Sequence, residues 1–451
     1  MFFNGVQYSH MWETLRAYLG AIAVPVFLFA GLAIMFNVFR LLQVDLSPTL
    51  TVAVALSPIW LPVVLFYTTF DQWMWYVTEK FKYENGRVTL RIKLPQEVLK
   101  SPEAMEAVFT QVWAQNRPEN LMHTYLDGRH PLVASFELVS IGGDVRFYVN
   151  VPRKKVKNNI EAQLYAQFPG IEITEELIDY TAEVVWDRKK WDLMSFHVTK
   201  KEDEVFPIKT YIDYKLDQQP KEELKFEPMT PLIEHLGKAK PHERLWIQIL
   251  CTPHTVQNFA RGSLYKKDTW EVKGRQKCNE IMKRDDKGYG VQEETESRPI
   301  MSMNERDTVA AIERNTGKYA YETAIRAMYI TDPDKFDGDM IGPMLRGFSQ
   351  YDVIGRNLLG VTWRTDFDYR WLSDISGNRK WSYKKRELEF YKARFYLPSD
   401  KKRFKDKPKV MSVEELATIY HIPGSSVVTP NLARVESTKK EAPANLPIST
   451  E

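Results

Sequence analysis

The chain is 451 residues long, 44% hydrophobic and 27% charged, with 62 Lys and Arg against 59 Asp and Glu. That length supplies two or three compact units with cores of their own, and the composition excludes wholesale disorder, a collagen repeat and a short disulfide scaffold. Two cysteines, Cys251 and Cys278, rule out a disulfide framework, and the net charge of +3 averages over a charge-free beginning and a strongly basic stretch near the end.

Residues 1–16 read as a short leading segment. No charged residue occurs in the 23 positions from Ala17 to Phe39, or in the 25 from Leu46 to Phe70. About 20 apolar residues in a helix span a bilayer core, so the pattern predicts transmembrane helices over 17–39 and 46–70, joined as a tight hairpin through Arg40 to Asp45. Pro25, Pro58 and Pro62 would kink them. Tyr67, Phe70, Trp73, Trp75 and Tyr76 close the second run like an interfacial belt. Two buried core helices are the alternative. Lys80, Lys82, Arg87, Arg91 and Lys93 follow the second run, whereas the hairpin offers only Arg40. The positive-inside rule then puts both termini on the cytoplasmic side of the inner membrane.

A first α+β unit is expected over 80–178. Val88, Leu90, Ile92 and Leu94 alternate with polar residues, the period of a half-buried strand. Ser101-Pro102 opens a helix with Met105, Val108, Phe109 and Val112 on one face. Strands over Ala134–Ser140 and Val145–Val151 flank a Gly142-Gly143 turn. A helix bearing Val156, Ile160 and Leu164 precedes a short strand near Ile171–Thr174. The order βαββαβ is that of a ferredoxin-like fold.

A second, decorated unit is expected over 179–360. Phe206, Ile208, Thr210 and Ile212 alternate like a strand, Thr230-Pro231 opens a helix, and Leu245 to Cys251 form a strand. Residues 252–300 read as a charged insertion with one helix. Ser302 and Glu305 make a capping box for a helix ending at Gly317; a strand over Tyr319–Thr331 and a helix bearing Met340, Ile341, Met344, Leu345 and Phe348 follow. A third strand for this unit is not identifiable. The fold class expected is therefore α+β, an N-terminal two-helix transmembrane hairpin followed by tandem ferredoxin-like units.

The region 361–434 is basic and aromatic, and 435–451, rich in Lys, Pro, Ser and Glu, reads as a flexible tail. Residues 379–409 hold 13 Lys and Arg against 4 Asp and Glu, a net +9 that leaves −6 for the rest. Lys384, Lys385, Arg386, Lys392, Arg394, Lys401, Lys402, Arg403 and Lys405 are candidate contacts to nucleic acid or anionic lipid. Trp381, Tyr383 and Phe404 are candidate stacking rings. A solvated face whose aromatic residues belong to the core remains open beside both.

Motifs of catalysis are missing from the sequence. There is no G-x-x-x-x-G-K-[ST], no G-x-G-x-x-G, no H-E-x-x-H and no G-x-S-x-G. His123 and His130 flank Asp127-Gly128 without a third metal ligand nearby, and Cys251 and Cys278 lack zinc-knuckle spacing. No enzyme activity, cofactor or metal is expected.

Several strings carry a resemblance. They include Leu90 to Pro95, Ser101 to Glu106, Phe136 to Ser140, Ile160 to Pro169, Pro231 to Gly237, Leu245 to Leu250 and Glu414 to Gly424. Together they resemble the membrane-anchored, uncharacterised domain that in many bacteria of the candidate phyla radiation precedes a conjugation-type ATPase of the type IV secretion class. The likeness covers roughly residues 80–448 and implies no catalytic residue. It implies a membrane-anchored, non-enzymatic subunit that docks a separate ATPase or transfer component at the cytoplasmic face, with self-association left open. Membrane-tethered binding of single-stranded nucleic acid is the alternative. On the docking reading, deleting residues 361–451 should abolish ATPase capture and leave membrane insertion intact.

Overall fold

In the computed structural model the described residues are 31, 47–95, 100–113, 120–154, 156–218, 226–254, 270–283, 301–365, 378–395, 408–424 and 434. They belong to two compact units, Met1–Trp73 and Met74–Glu451. Where one span was expected over 46–70, the chain forms two helices, α1 (Ser47–Ala55) and α2 (Ser57–Asn85), separated at Leu56. The charge-free run of α2 ends at Phe70; Asp71, Glu79, Lys80, Lys82 and Glu84 follow in the same helix. Residues 57–70 rise about 21 Å at 1.5 Å per residue, short of the roughly 30 Å of a bilayer core. None of the described helices is long and apolar enough to cross a membrane, which corrects the transmembrane hairpin. The other expected span, 17–39, lies outside the described residues apart from Gly31.

The second unit is α+β around one nine-stranded sheet whose pairings are all antiparallel. Its first half runs β1 (Arg87–Lys93), α3 (Glu103–Trp113), α4 (Leu121–Tyr125), β2 (Ala134–Ile141), β3 (Asp144–Pro152), α5 (Val156–Gln167) and β4 (Glu172–Glu176). The second half runs β5 (Asp192–Lys200), α6 (Thr230–Gly237), β6 (Arg244–Pro253), α7 (Trp270–Ile281), α8 (Met303–Thr316), β7 (Ala320–Thr331), α9 (Ile341–Arg346) and β8 (Leu359–Arg364). Helix α10 (Asn378–Lys392), β9 (Lys409–Ser412) and α11 (Val413–Ile419) complete it. The strand order is β4-β1-β3-β2-β6-β7-β5-β8, with β9 on β7. Counted within each half from its outer edge inward, both orders read fourth, first, third, second.

The halves join through β2 and β6, in register from Ala134 opposite Cys251 to Ile141 opposite Arg244. One core runs through both halves, and their strands make one continuous sheet. Side chains alternate across a strand. Phe136 and Leu138 of β2, with Ile247 and Ile249 of β6, face the layer formed by α3, α5, α6 and α11. Val139 and Trp246 face the other way, toward Leu388 and Tyr391 of α10.

Local rules explain much of this. Gly142 and Gly143 take φ of 59° and 92°, the paired positive values of a two-residue hairpin turn. Ser302 and Glu305 form the expected capping box, with bonds of 3.2 and 2.8 Å. The alternating run at 206–212, however, is not a strand. Its backbone donors go elsewhere: Ile208 N–H to the Glu415 carboxylate at 3.0 Å, Lys209 N–H to Tyr351 O at 2.8 Å, and Tyr211 N–H to Thr418 Oγ1 at 3.0 Å. The strands not identified from sequence are β5, β8 and β9, and β5 is the central one of them. It lies between β7 and β8 and buries Ser195, His197 and Lys200 beside its apolar residues, which hides the alternation.

Candidate functional site

The basic helix α10 is bound to the sheet through its own charges. Lys384, Glu387, Leu388 and Tyr391 are buried, the i, i+3, i+4, i+7 stripe of a helix that covers a surface. Lys384 pairs with Asp192, and Glu387 meets His197 Nε2 at 2.9 Å. The chain then turns at Arg394, whose φ of 47° lies in the left-handed region. A side chain there costs about 1–2 kcal/mol, and the guanidinium makes the turn worth keeping. Arg394 Nε and Nη2 reach the two oxygens of Glu137 at 3.0 and 3.1 Å, and Nη1 reaches Asp179 at 2.6 Å.

Glu137 is wholly buried in the middle of β2. It also accepts from Ser135 Oγ at 2.6 Å, Gln248 Nε2 at 3.0 Å and Tyr180 OH at 2.7 Å, and the Tyr180 and Tyr391 hydroxyls lie 3.0 Å apart. Burial alone would lower the pKa of Arg394, but Glu137 and then Tyr180 outweigh it and hold the guanidinium well above its ordinary value. Burial, and then the Glu137 charge, push both tyrosines well up. The result is an internal network in which both carboxylate oxygens of Glu137 are bonded.

These contacts place the residues singled out from sequence. Lys384 and Arg394 are internal, and Lys392 donates to Val184 O. Lys385 is exposed and 3.6 Å from Glu389. Arg386 lies over the Tyr383 ring at 4.7 Å, and Trp381 lies between the Trp186 ring and the guanidinium of Arg188, at 5.8 and 5.3 Å. Lys401, Lys402, Arg403, Phe404 and Lys405 lie outside the described residues. The sequence reading passed over Glu137, Tyr180 and Asp192, which hold the helix down, because nothing local distinguishes a buried carboxylate from a surface one.

On the opposite face, β9 and α11 form a buried insert. Glu415 pairs with Lys200 at 2.8 Å, both fully buried, and caps α11 together with Ser412. Glu414 accepts from Thr210 Oγ1 at 2.6 Å and pairs with Arg314 and Lys318 at 3.2 and 3.0 Å. Tyr420 packs between Phe136 and Phe147, with centroids at 5.3 and 5.8 Å. His421 donates from Nδ1 to Ala417 O at 2.9 Å, and its Nε2 meets the Glu227 carboxylate. The Ala417 carbonyl can only accept, so Nδ1 carries a proton, and the Glu227 carboxylate favours a second proton on Nε2.

Burial alone would lower the His421 pKa, but Glu227 and the helix carbonyls raise it above the ordinary 6.5. Below that ordinary value the pairing stabilises the fold in full; as pH rises through the higher folded-state value, the contribution is lost. The stability difference between wild type and His421→Leu, measured by urea unfolding from about pH 5.5 to 9, should therefore shrink as pH rises. A constant difference would remove the charged pair.

Among the described residues no group of three or more His, Cys, Asp or Glu is placed to hold a metal ion. His130 bonds to Gly128 O at 2.9 Å and packs on Phe81, and burial pulls its pKa down to about 4. Gly128 itself, at φ 63°, lies against α2: a Cβ there would meet Val77 O at 2.3 Å. This close approach and the burial of Met74, Val77 and Asn85 anchor the C-terminal half of α2. Its other half is the reverse. Ile59, Val63, Phe66 and Tyr67 are about two-thirds exposed, at 70, 66, 70 and 68%, and Trp60, Leu61, Val64 and Leu65 are exposed between them.

A family model described as a domain of unknown function (DUF8128) matches residues 78–351, more than half of the chain. No curated protein matches it.

Proposed function

For a chain that belongs to the DUF8128 family, we propose a non-enzymatic docking subunit, attached to a lipid surface by the apolar end of α2 and presenting its α+β body to a protein partner. The observation that carries this reading is the exposed run Ile59 to Tyr67. A helix apolar on every side calls for an apolar surrounding on every side, which a groove along one face does not supply and acyl chains do. The order along α2 is apolar, then aromatic at Trp73, Trp75 and Tyr76, then charged from Glu79, as the polarity of a lipid interface changes with depth. Its apolar length enters a bilayer without crossing it. The resemblance to domains preceding conjugation-type ATPases makes a separate ATPase the partner of this reading, with co-purification in stoichiometric amount as its signature.

The lipid part is tested by an environment-sensitive dye on Val63→Cys or Tyr83→Cys in the full chain, reconstituted with lipids brominated on their acyl chains. Cys251 and Cys278 are buried and leave the new thiol as the reactive one. Strong quenching at 63 and little at 83 is expected. A dye at 63 that brominated lipids do not quench would overturn the attachment.

A further inference from the structure

Tertiary folding brings a second basic segment against α10. Asp187 accepts from Lys189 N–H at 3.0 Å through its carboxylate and from Trp191 N–H at 2.9 Å through its carbonyl, closing a tight turn that points Arg188, Lys189 and Lys190 to solvent. Arg188 Nη1 donates to Asn378 Oδ1 at 3.0 Å, which fixes this turn to the first residue of α10. Residues 187–190 and 378–389, leaving aside the buried Lys384 and Glu387, hold seven Lys and Arg against Asp187 and Glu389. Counted over the described residues, the patch is therefore strongly positive. Lys189 and Lys190 make no ion pair among the described residues.

Rings lie between these cations. Trp186, Trp381 and Tyr383 are half-buried. Arg188 lies on Trp381, and Arg386 and Arg379 lie 4.7 and 5.8 Å from the Tyr383 centroid. The surface thus alternates charge with flat aromatic and guanidinium planes, held in place from beneath by the Glu137–Arg394 network.

We propose that this surface, the turn 187–190 with the first half of α10, binds single-stranded nucleic acid. Phosphates meet the lysines, and unstacked bases lie on the guanidinium planes of Arg188, Arg379 and Arg386, which are themselves backed by the Trp381 and Tyr383 rings. An acidic protein or an anionic lipid layer satisfies the charge but leaves the planes without a stacking partner. The proposal is independent of lipid attachment, since it involves no residue of α2.

The test is fluorescence anisotropy of a labelled oligothymidylate of about 15 nucleotides with the full-length protein in detergent, beside an abasic strand of equal length. Affinity should fall steeply between about 50 and 200 mM salt. The abasic strand should bind at least about tenfold more weakly, since stacking is worth about 1–3 kcal/mol per base. The exposed triple variant Lys189→Glu/Lys190→Glu/Lys385→Glu should lose most of the binding and keep its unfolding transition. Equal affinity for both strands would mean a general polyanion surface and would overturn the assignment. So would the lack of binding at low salt, or full binding by the triple variant.

Discussion

Replacing Arg394 by Met is expected to lower the unfolding free energy by about 3–5 kcal/mol, the cost of breaking a buried ion pair from one side. The variant leaves the Glu137 carboxylate, fully buried, with three neutral donors and no positive charge within bonding distance. It also frees Asp179, whose carboxyl burial would raise but Arg394 holds below its ordinary pKa. The double variant Glu137→Gln/Arg394→Met should recover much of the loss, because removing both charges also removes the need to compensate either. Arg394→Gly separates the backbone from the charge: it relieves the left-handed strain, worth about 1–2 kcal/mol, yet still breaks the pair. Urea unfolding followed by tryptophan fluorescence reads all three. An Arg394→Met protein as stable as wild type would mean that Glu137 is neutralised by something other than Arg394.

Removal of residues 361–451 is expected to leave a chain that does not fold, rather than a folded subunit that has lost its partner. The deletion takes away Val410, Met411, Val413, Leu416, Ala417, Ile419, Tyr420 and Ile422, none more than 4% exposed. At about 1.5–3 kcal/mol for each large side chain, the apolar loss alone matches or exceeds the roughly 5–15 kcal/mol that holds a domain folded. It also strands Lys200, fully buried, without Glu415. Near-ultraviolet circular dichroism should show no fixed aromatic environment in the truncated protein. The single change Leu416→Ala should cost about 2–5 kcal/mol, and a truncated chain with native dichroism would show that the insert is dispensable. Loss of partner capture after this deletion would therefore say nothing about where the partner docks.

Both results depend on residues whose surroundings no local pattern reveals. Where neighbours in sequence fix the structure, the sequence reading was sufficient. The alternation of β1, the Gly142-Gly143 turn and the Ser302–Glu305 capping box need only residues within one turn or one strand of each other, and the structure has all three. The segment 206–212 shows the opposite case. Its alternation is real, but its N–H groups are taken by Glu415 and Thr418, about 207 positions away. No window along the chain contains both partners.

The basic segment divides along the same line. Its net charge was legible because charge is a property of composition. Which cations reach solvent was not, because that depends on the facing residues: Lys384 meets Asp192 and Arg394 meets Glu137, whereas Arg188 to Lys190 arrive on the surface from a distant turn. The charge-free run 46–70 was equally legible as composition. Its division at Leu56 and the charges within α2 decide that no described helix crosses a bilayer, since spanning needs unbroken apolar length in one helix. Sequence alone determined periodicity, capping, turns and overall charge, which are set by short-range sterics and hydrogen bonding. Tertiary structure decided burial, ion pairing and the joining of two halves into one sheet, because these energies arise between residues that only folding brings together.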